Sequence, residues 1–303
     1  MKEEDFLNTI KKFIGNDYIG DDCAYLKELG IVISQDSLVE DVHFSLNYMT
    51  PYQLGYKSGK VNLSDIIASG GRGKYILVAL SLPKNTTKNF IEDFYKGLKD
   101  SIGNIKIIGG DITGSDKVMV SITIIGTDKK RKISSRKNAK EGYVIVTNGS
   151  HGSSAGGLKL LQSGRKNKTL VNAHLMPEVS EEMSEIIAEN LKEDYAMMDS
   201  SDGLADALYK IADSSNKTIV VDFEKIEYDR QLKELFPDDY KNMILFGGED
   251  YKTVAAIPKD FAEKYGLKII GYVIDRAEHK VVIRNYDNTD KIIDNLDECF
   301  NHF

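Results

Sequence analysis

Apolar positions along this chain follow two periods in turn, and the changes between them predict its elements. Phe6, Ile10, Phe13 and Ile14 recur at helical spacing from Glu3 to Ile14, and Gly15 stops the run. Ile31-Val32-Ile33-Ser34 reads as a short buried strand that delivers Gln35 and Asp36 at its end. Thr50-Pro51 opens a helix to about Ser69, with Thr50 as cap, Pro51 at the first helical position and Gly70-Gly71 as the stop. Leu54, Ser58, Val61, Asp65 and Ala68 form its small and apolar face, so Asp65 falls on or beside the packed stripe. Tyr75 to Leu82 is a strand, and Thr87 caps a helix from Lys88 to about Ile102. Ile105 to Ile108 is a short strand running into Gly109-Gly110-Asp111, and Val118 to Gly126 alternates into another.

A basic, irregular stretch from Lys129 to Lys140 follows, and the pattern then restarts. Most of these charges are expected to be solvated. The stretch marks a boundary between residues 1–135 and 136–303. Gly142 to Thr147 is an apolar strand, and Asn148 to Gly157 is a glycine-rich turn entering a helix. That turn matches neither a P-loop nor a dinucleotide fingerprint, which favours tight packing over anion binding. Ser180 to Leu191 is an amphipathic helix, and Asp199-Ser200-Ser201-Asp202-Gly203-Leu204 opens another that runs to about Ser214. Strands follow at Ile219–Phe223, Lys252–Ile257, Leu267–Val273 and Lys280–Ile283, with a helix at Lys259–Tyr265. Strands and helices alternate in both halves, so the expected class is α/β (α+β) in two domains.

Composition narrows the picture. A length of 303 residues suits two domains, and 41% hydrophobic with 29% charged residues is ordinary for a water-soluble globular chain. A net charge of -7 argues against nucleic acid as the partner. No apolar run reaches the roughly 18 residues a membrane helix needs. The acidic N-terminus is no signal peptide. Only two cysteines, Cys23 and Cys299, are present, so no disulfide framework is expected and a cytoplasmic location fits.

The chemistry lies in short acidic turns. Gly20-Asp21-Asp22 comes first, followed by Gln35-Asp36, Ser64-Asp65, Gly109-Gly110-Asp111, Asp199-Ser200-Ser201-Asp202 and Gly247-Gly248-Glu249-Asp250. Neighbouring carboxylates repel, so a fold that gathers them needs a cation or a proton between them. One such turn is more often a helix cap or a surface turn. Many of them, flanked by Gly or Ser and placed at element ends, point to a site for several divalent ions. Oxygen donors with few, scattered histidines favour Mg²⁺, Mn²⁺ or Ca²⁺ over zinc. Metal ions would turn this acidic site into a phosphate clamp. Walker A and protein-kinase signatures are absent, as is a nucleophile elbow, so a phosphotransferase here needs another architecture.

Taken in order, these segments resemble the thiamine-monophosphate kinase family, in the superfamily of aminoimidazole ribonucleotide synthetase. The resemblance rests on Gly20-Asp21-Asp22-Cys23-Ala24, Ser34-Gln35-Asp36 with Leu38 to Phe44, and Val61-Asn62-Leu63-Ser64-Asp65-Ile66. It continues through Gly109 to Thr113, Ser201 to Asp206, Phe246 to Tyr251 and the terminal Phe300-Asn301-His302-Phe303. It implies a PurM-like architecture in which the N-terminal mixed sheet forms a barrel across a homodimer and a C-terminal α/β domain closes the cleft. It also implies transfer of the γ-phosphoryl group of ATP to thiamine monophosphate. Position by position, Asp22, Ser34, Asp36, Asp65, Asp111, Asp199 and Asp202 would hold several Mg²⁺ ions. Tyr95, Gly110, Asp111, Arg136 and Ser201 would contact ATP, and His43, Glu249 and Phe300 the acceptor. Asp36, Asp65 and Asp111 would be the catalytic carboxylates. Gln35 stands where the family usually has threonine, and Arg136-Lys137-Asn138-Ala139 departs from the usual Arg-Ser-Gly-Ala. Relatives such as selenophosphate synthetase are the nearest alternative, disfavoured because Cys23 follows the Asp pair. A non-catalytic nucleotide-binding protein is the other.

Overall fold

The computed structural model describes residues 3–15, 18–287 and 289–299. Its first half comprises α1 (Glu3–Ile14), β1 (Ala24–Leu26), β2 (Ile31–Val39), α2 (Pro51–Ala68), β3 (Arg72–Leu82), α3 (Lys88–Ile102), β4 (Lys106–Gly114) and β5 (Met119–Thr127). The strands form one mixed sheet in the order β1-β2-β5-β3-β4, antiparallel except for the β3–β4 pair. Thr50 caps α2, as the Thr-Pro pair implied, and Gln53 completes a capping box with it.

The second half comprises β6 (Tyr143–Thr147), α4 (Ser153–Gln162), α5 (Lys168–Leu175), α6 (Glu182–Asn190), β7 (Ala196–Asp199), α7 (Leu204–Ser215) and β8 (Lys217–Asp222). It continues with α8 (Arg230–Leu235), α9 (Tyr240–Phe246), β9 (Thr253–Pro258), α10 (Lys259–Lys264), β10 (Ile269–Asp275), β11 (Val281–Arg284) and β12 (Lys291–Ile293). These strands form a seven-stranded sheet, β12-β11-β8-β10-β6-β9-β7. Among the described residues, no helix is long and apolar enough to cross a membrane.

Three strands are longer than the apolar runs suggested, β3 by starting three residues earlier at Arg72. β2 continues to Val39 because it pairs with β5 from Ile31↔Thr127 to Val39↔Met119, so Asp36 lies within a strand and not at its end. β4 absorbs Gly109-Gly110-Asp111, which pair with Leu77, Val78 and Ala79 of β3. Ladder hydrogen bonds override the turn propensity of the glycines there.

Alternation along the first sheet fixes its two faces. Asp36, Ile122, Val78 and Gly110 stand in one row across β2, β5, β3 and β4. Ile122 and Val78 of that row are fully buried under the helices. Ser37, Ser121, Ala79 and Asp111 form the neighbouring row, which points the other way. This second face is open: Tyr75, Leu77 and Met119 on it are 42%, 36% and 38% exposed. The stripe on α1 is also uncovered, with Phe13 and Ile14 exposed, so that helix forms as its spacing implied without joining the core.

α2 is the hinge of the architecture. It packs on β2, β5 and β3 of the first sheet, on α3, and on β7 and β9 of the second. Its approach to α3 is very close: a Cβ at Gly55 would sit 1.9 Å from the Phe94 carbonyl oxygen. Side chains of α2 therefore meet those of both halves.

Candidate active site

Three carboxylates converge where the halves meet. Asp22 from the Gly-Asp-Asp turn, Asp65 from α2 and Asp199 from the end of β7 each offer an oxygen within 4.8 Å of the others. Hydroxyls hold two of them in place. Ser34 Oγ on β2 donates to Asp65, and Ser64 Oγ on α2 donates to Asp199 at 2.5 Å. The Asp36 backbone N–H donates to Asn62 Oδ1 at 3.2 Å. Asp202, just beyond β7, pairs with Lys210 Nζ at 3.3 Å.

This arrangement is costly without a cation. Burial pushes the Asp65 carboxyl well above its usual range, and the nearby charges of Asp36, Asp199 and Asp22 push it further. Asp199 is raised to about 7, first by burial and then by Asp22. Burial also raises Asp36 and Asp22, although Arg136 offsets part of the effect on Asp22. The Oδ2 atom of Asp22 is buried without a hydrogen-bond partner. An all-oxygen donor set with an unsatisfied carboxylate oxygen fits a hard divalent cation.

Beside the cluster opens a cleft of 540 Å³, bordered by both halves. Asp36, Asp65, Asp199, Ser201 and Asp202 line one part of it, and His43, Tyr48, His174 and Glu249 another. His43 is oriented by the Val39 N–H, which donates to its Nδ1 at 3.1 Å. Glu249 has a left-handed backbone, φ 65°, and its N–H donates to the Ser201 carbonyl at 2.6 Å. Its carboxylate pairs with Lys57 Nζ of α2 at 2.8 Å and lies 3.3 Å from His174 Nδ1. Burial alone would raise the Glu249 carboxyl; the Lys57 ammonium brings it below its usual range.

The structure thus gathers Asp22, Ser34, Asp36, Asp65, Asp199, Ser201, Asp202, His43 and Glu249 around one cleft and its floor. It does not bring Asp111 to them within one chain. Three strand spacings, about 14 Å, separate the row of Asp36 from β4, and the Asp111 side chain points to the opposite face. Gly110 is on the same outer strand, and Tyr95 is half buried on α3. Arg136 turns inward: its guanidinium pairs with Asp22 and its backbone N–H donates to Asp21 Oδ1 at 2.7 Å. Phe300 lies outside the described residues.

One acidic turn splits into two roles. Glu249 lines the cleft, whereas Asp250 is buried and accepts from the N–H groups of Gly152, at 2.5 Å, and Ser154, at 2.9 Å. It occupies the N-terminus of α4, so the glycine-rich turn binds an internal carboxylate. Lys57 and His174 are further site residues that motif reading does not single out. Lys57 did carry a signal. It stands three positions after Leu54 and four before Val61, a lysine in a packed helical stripe. His174 has no comparable mark.

Comparison with known proteins agrees with this geometry. Residues 20–127 match the AIR synthase related protein N-terminal domain, and residues 140–284 match the corresponding C-terminal domain. The thiamine-monophosphate kinase of Bacillus subtilis is 32% identical over 307 residues, covering 94% of this chain and 93% of its own. A structure of AaThiL complexed with AMPPCP and TMP superposes with a TM-score of 0.88 at 29% identity, covering 100% of this chain and 97% of that one. The crystal structure of thiamine monophosphate kinase from Aquifex aeolicus gives 0.81 at 29% identity, covering 94% and 98%. The chain belongs to the thiamine-monophosphate kinase family of AIR synthase related proteins.

Proposed function

We propose that this chain transfers the γ-phosphoryl group of ATP to thiamine monophosphate, giving thiamine diphosphate and ADP. The observation that carries the reading is the carboxylate cluster of Asp22, Asp65 and Asp199 opening onto a cleft that bears His43 and Glu249 on its other side. A metal-binding floor and a polar wall for an organic acceptor are the two parts such a transfer needs. A related structure of the same fold holds AMPPCP and TMP together, which supports the assignment.

Asp22, Asp36, Asp65, Asp199 and Asp202, with Ser34, would hold the Mg²⁺ ions. Bound there, the ions supply positive charge that offsets the phosphates of donor and acceptor. The nucleophile is a phosphate oxygen, anionic near neutral pH, so no strong general base is required and positioning dominates. Ser34 and Ser64 fix the carboxylates through their hydroxyls. Ser201 lines the cleft where the donor phosphates would lie. His43 and Glu249 orient the acceptor from the wall, and Glu249 offers a carboxylate to its amino group and thiazolium charge.

Asp111 and Gly110, both on β4, enter this scheme through a second copy of the chain. The open face of the first sheet carries Tyr75, Leu77 and Met119, and its outer strand β4 carries exposed Ile108 and Ile112. An uncovered sheet face of mixed polar and apolar residues, bounded by an unpaired edge strand, is a pairing surface. A homodimer closed through it would present Asp111 to the partner's nucleotide. Cys23 and Cys299 are free and buried, in keeping with a cytoplasmic setting.

The test is ADP production from ATP at saturating Mg²⁺, with and without thiamine monophosphate. Acceptor-dependent ADP and formation of thiamine diphosphate are expected. ATP binding without acceptor-dependent ADP release would leave a nucleotide-binding protein and overturn the reading.

A further inference from the structure

The wall of the cleft is held by a buried polar group that the metal chemistry does not use. Lys57 is fully buried on α2, in the first half of the chain. Its ion-pair partner Glu249, 2.8 Å away, belongs to the second half. On the other carboxylate oxygen, Glu249 meets His174 Nδ1 at 3.3 Å, and that nitrogen also lies 3.0 Å from Ser154 Oγ. Tyr251 Oη adds a longer contact to Oε1, 3.4 Å. Burial, with the charge of Lys57, lowers His174 to about 4, so it faces Glu249 as a neutral imidazole. Its Nε2 is buried without a hydrogen-bond partner.

The backbone under Glu249 reinforces this constraint. Glu249 and Tyr251 both have positive φ, 65° and 51°. Side-chain-bearing residues rarely adopt that region, and pairs of them in one short loop persist where surrounding structure over-determines them. A buried lysine is costly unless its charge is matched, and removing its partner is costlier than removing both. The group therefore specifies where the carboxylate stands, more than it adds stability.

We propose that Lys57 and His174 are positioning residues for acceptor recognition, acting through Glu249. Lys57 matches the carboxylate charge from below, and His174 fixes its rotation. The carboxylate is then presented to the cleft in one orientation, suited to a flat, amino-bearing cationic heterocycle. Because Lys57 rides on α2 and the other members on the second half, the group also sets the width of the cleft at its acceptor end. The nucleotide-binding end is left to the carboxylate cluster. This inference rests on the thiamine monophosphate kinase reading and deepens it.

The experiment is a double-mutant cycle on the full chain with Lys57→Met, Glu249→Gln and the pair together, reading KM for each substrate separately. Lys57→Met is expected to raise the KM for thiamine monophosphate about tenfold or more while the KM for ATP moves less than about threefold. The double variant is expected to be no worse than Glu249→Gln alone, because the lysine then has no carboxylate to place. Lys57→Arg should restore part of the loss, and His174→Gln should show the same split at smaller size. The double variant removes both charges, so it reads the coupling even where Lys57→Met folds poorly. Additive effects, or a loss that falls on the ATP KM, would overturn the proposal. An unaltered protein without acceptor-dependent ADP release would instead remove the activity itself, and this assignment with it.

Discussion

Ser64 on α2 donates a 2.5 Å hydrogen bond to Asp199 at the end of β7, across 135 residues of sequence. The bond ties the two halves together at the point where carboxylates crowd. Asp199 is thus both a structural acceptor and a charge held in an unfavourable place. An asparagine keeps the acceptor oxygen and removes the charge. Asp199→Asn is expected to stabilise the metal-free protein by about 1 kcal/mol, a Tm rise of about 2 °C. It should also shrink the Tm increase produced by Mg²⁺ and abolish turnover. A lower metal-free Tm in a variant that still responds fully to Mg²⁺ would contradict the assignment.

The same carboxyl sets a pH dependence of definite sign. Folding raises Asp199 from 3.8 to about 7. The native state then holds the proton more tightly than the unfolded chain, and the Asp199 contribution to stability falls as pH rises from about 4 through 7. His151 works in the opposite sense. Fully buried beside Thr147 Oγ1, 2.9 Å away, it is lowered to about 3. Its contribution is complete above pH 6.5 and is lost as pH falls below that value. Urea titrations of His151→Gln against the unaltered protein should show a constant difference above pH 6.5. Below it, the difference should move in the variant's favour by up to about 1.4 kcal/mol per pH unit.

Asp111 and Asp22 supply a test of the proposed dimer. Each single variant, Asp111→Asn and Asp22→Asn, is expected to fold and to be inactive. If the site combines Asp22 of one copy with Asp111 of the other, a mixed dimer holds one intact site and one doubly altered site. Random mixing of unfolded and refolded chains should then recover about a quarter of full activity. Recovery of none would remove Asp111 from the partner's site and overturn the shared-site arrangement.

Gly110 is constrained by its neighbour strand. A Cβ there would stand 1.8 Å from the Val78 carbonyl oxygen, in the middle of the β3–β4 ladder. Gly110→Ala is expected to cost at least about 2 kcal/mol in chemical denaturation. Gly114, at the end of the same strand, has open space at its Cβ and serves as the control.

The sequence made the periodic elements legible because their signals are local: a Thr-Pro cap for α2, a Thr cap for α3, and apolar runs for β2, β3 and β6. Helices α5, α8 and α9 and strands β1 and β12 are short, and their existence depends on packing partners far along the chain. The carboxylates of the site were legible as a set, since Asp and Gly or Ser in turns are visible one by one. Their sorting was not. Asp250 looks like Glu249's equal in sequence, yet one caps α4 and the other lines the cleft. Asp111 reads like Asp65, yet the register of β4 turns it to the opposite face. Face and partner are tertiary facts, and a one-residue step in a strand reverses them.

The internal pairing of Asp250 with the start of α4 has an effect on the order of events in the cleft. A helix N-terminus is a natural foothold for phosphate, and here it is taken by the chain's own carboxylate. Arg136 is likewise engaged with Asp22. In the metal-free chain both of these anion-seeking features are satisfied before any substrate arrives. Under the proposed scheme, a nucleotide entering alone meets crowded carboxyl groups with no cation between them, and one entering with its cations brings the charge that those groups are placed to hold. If Mg²⁺ fills the cluster as proposed, the protein responds to the concentration of the metal complex of ATP, with free ATP a weak competitor.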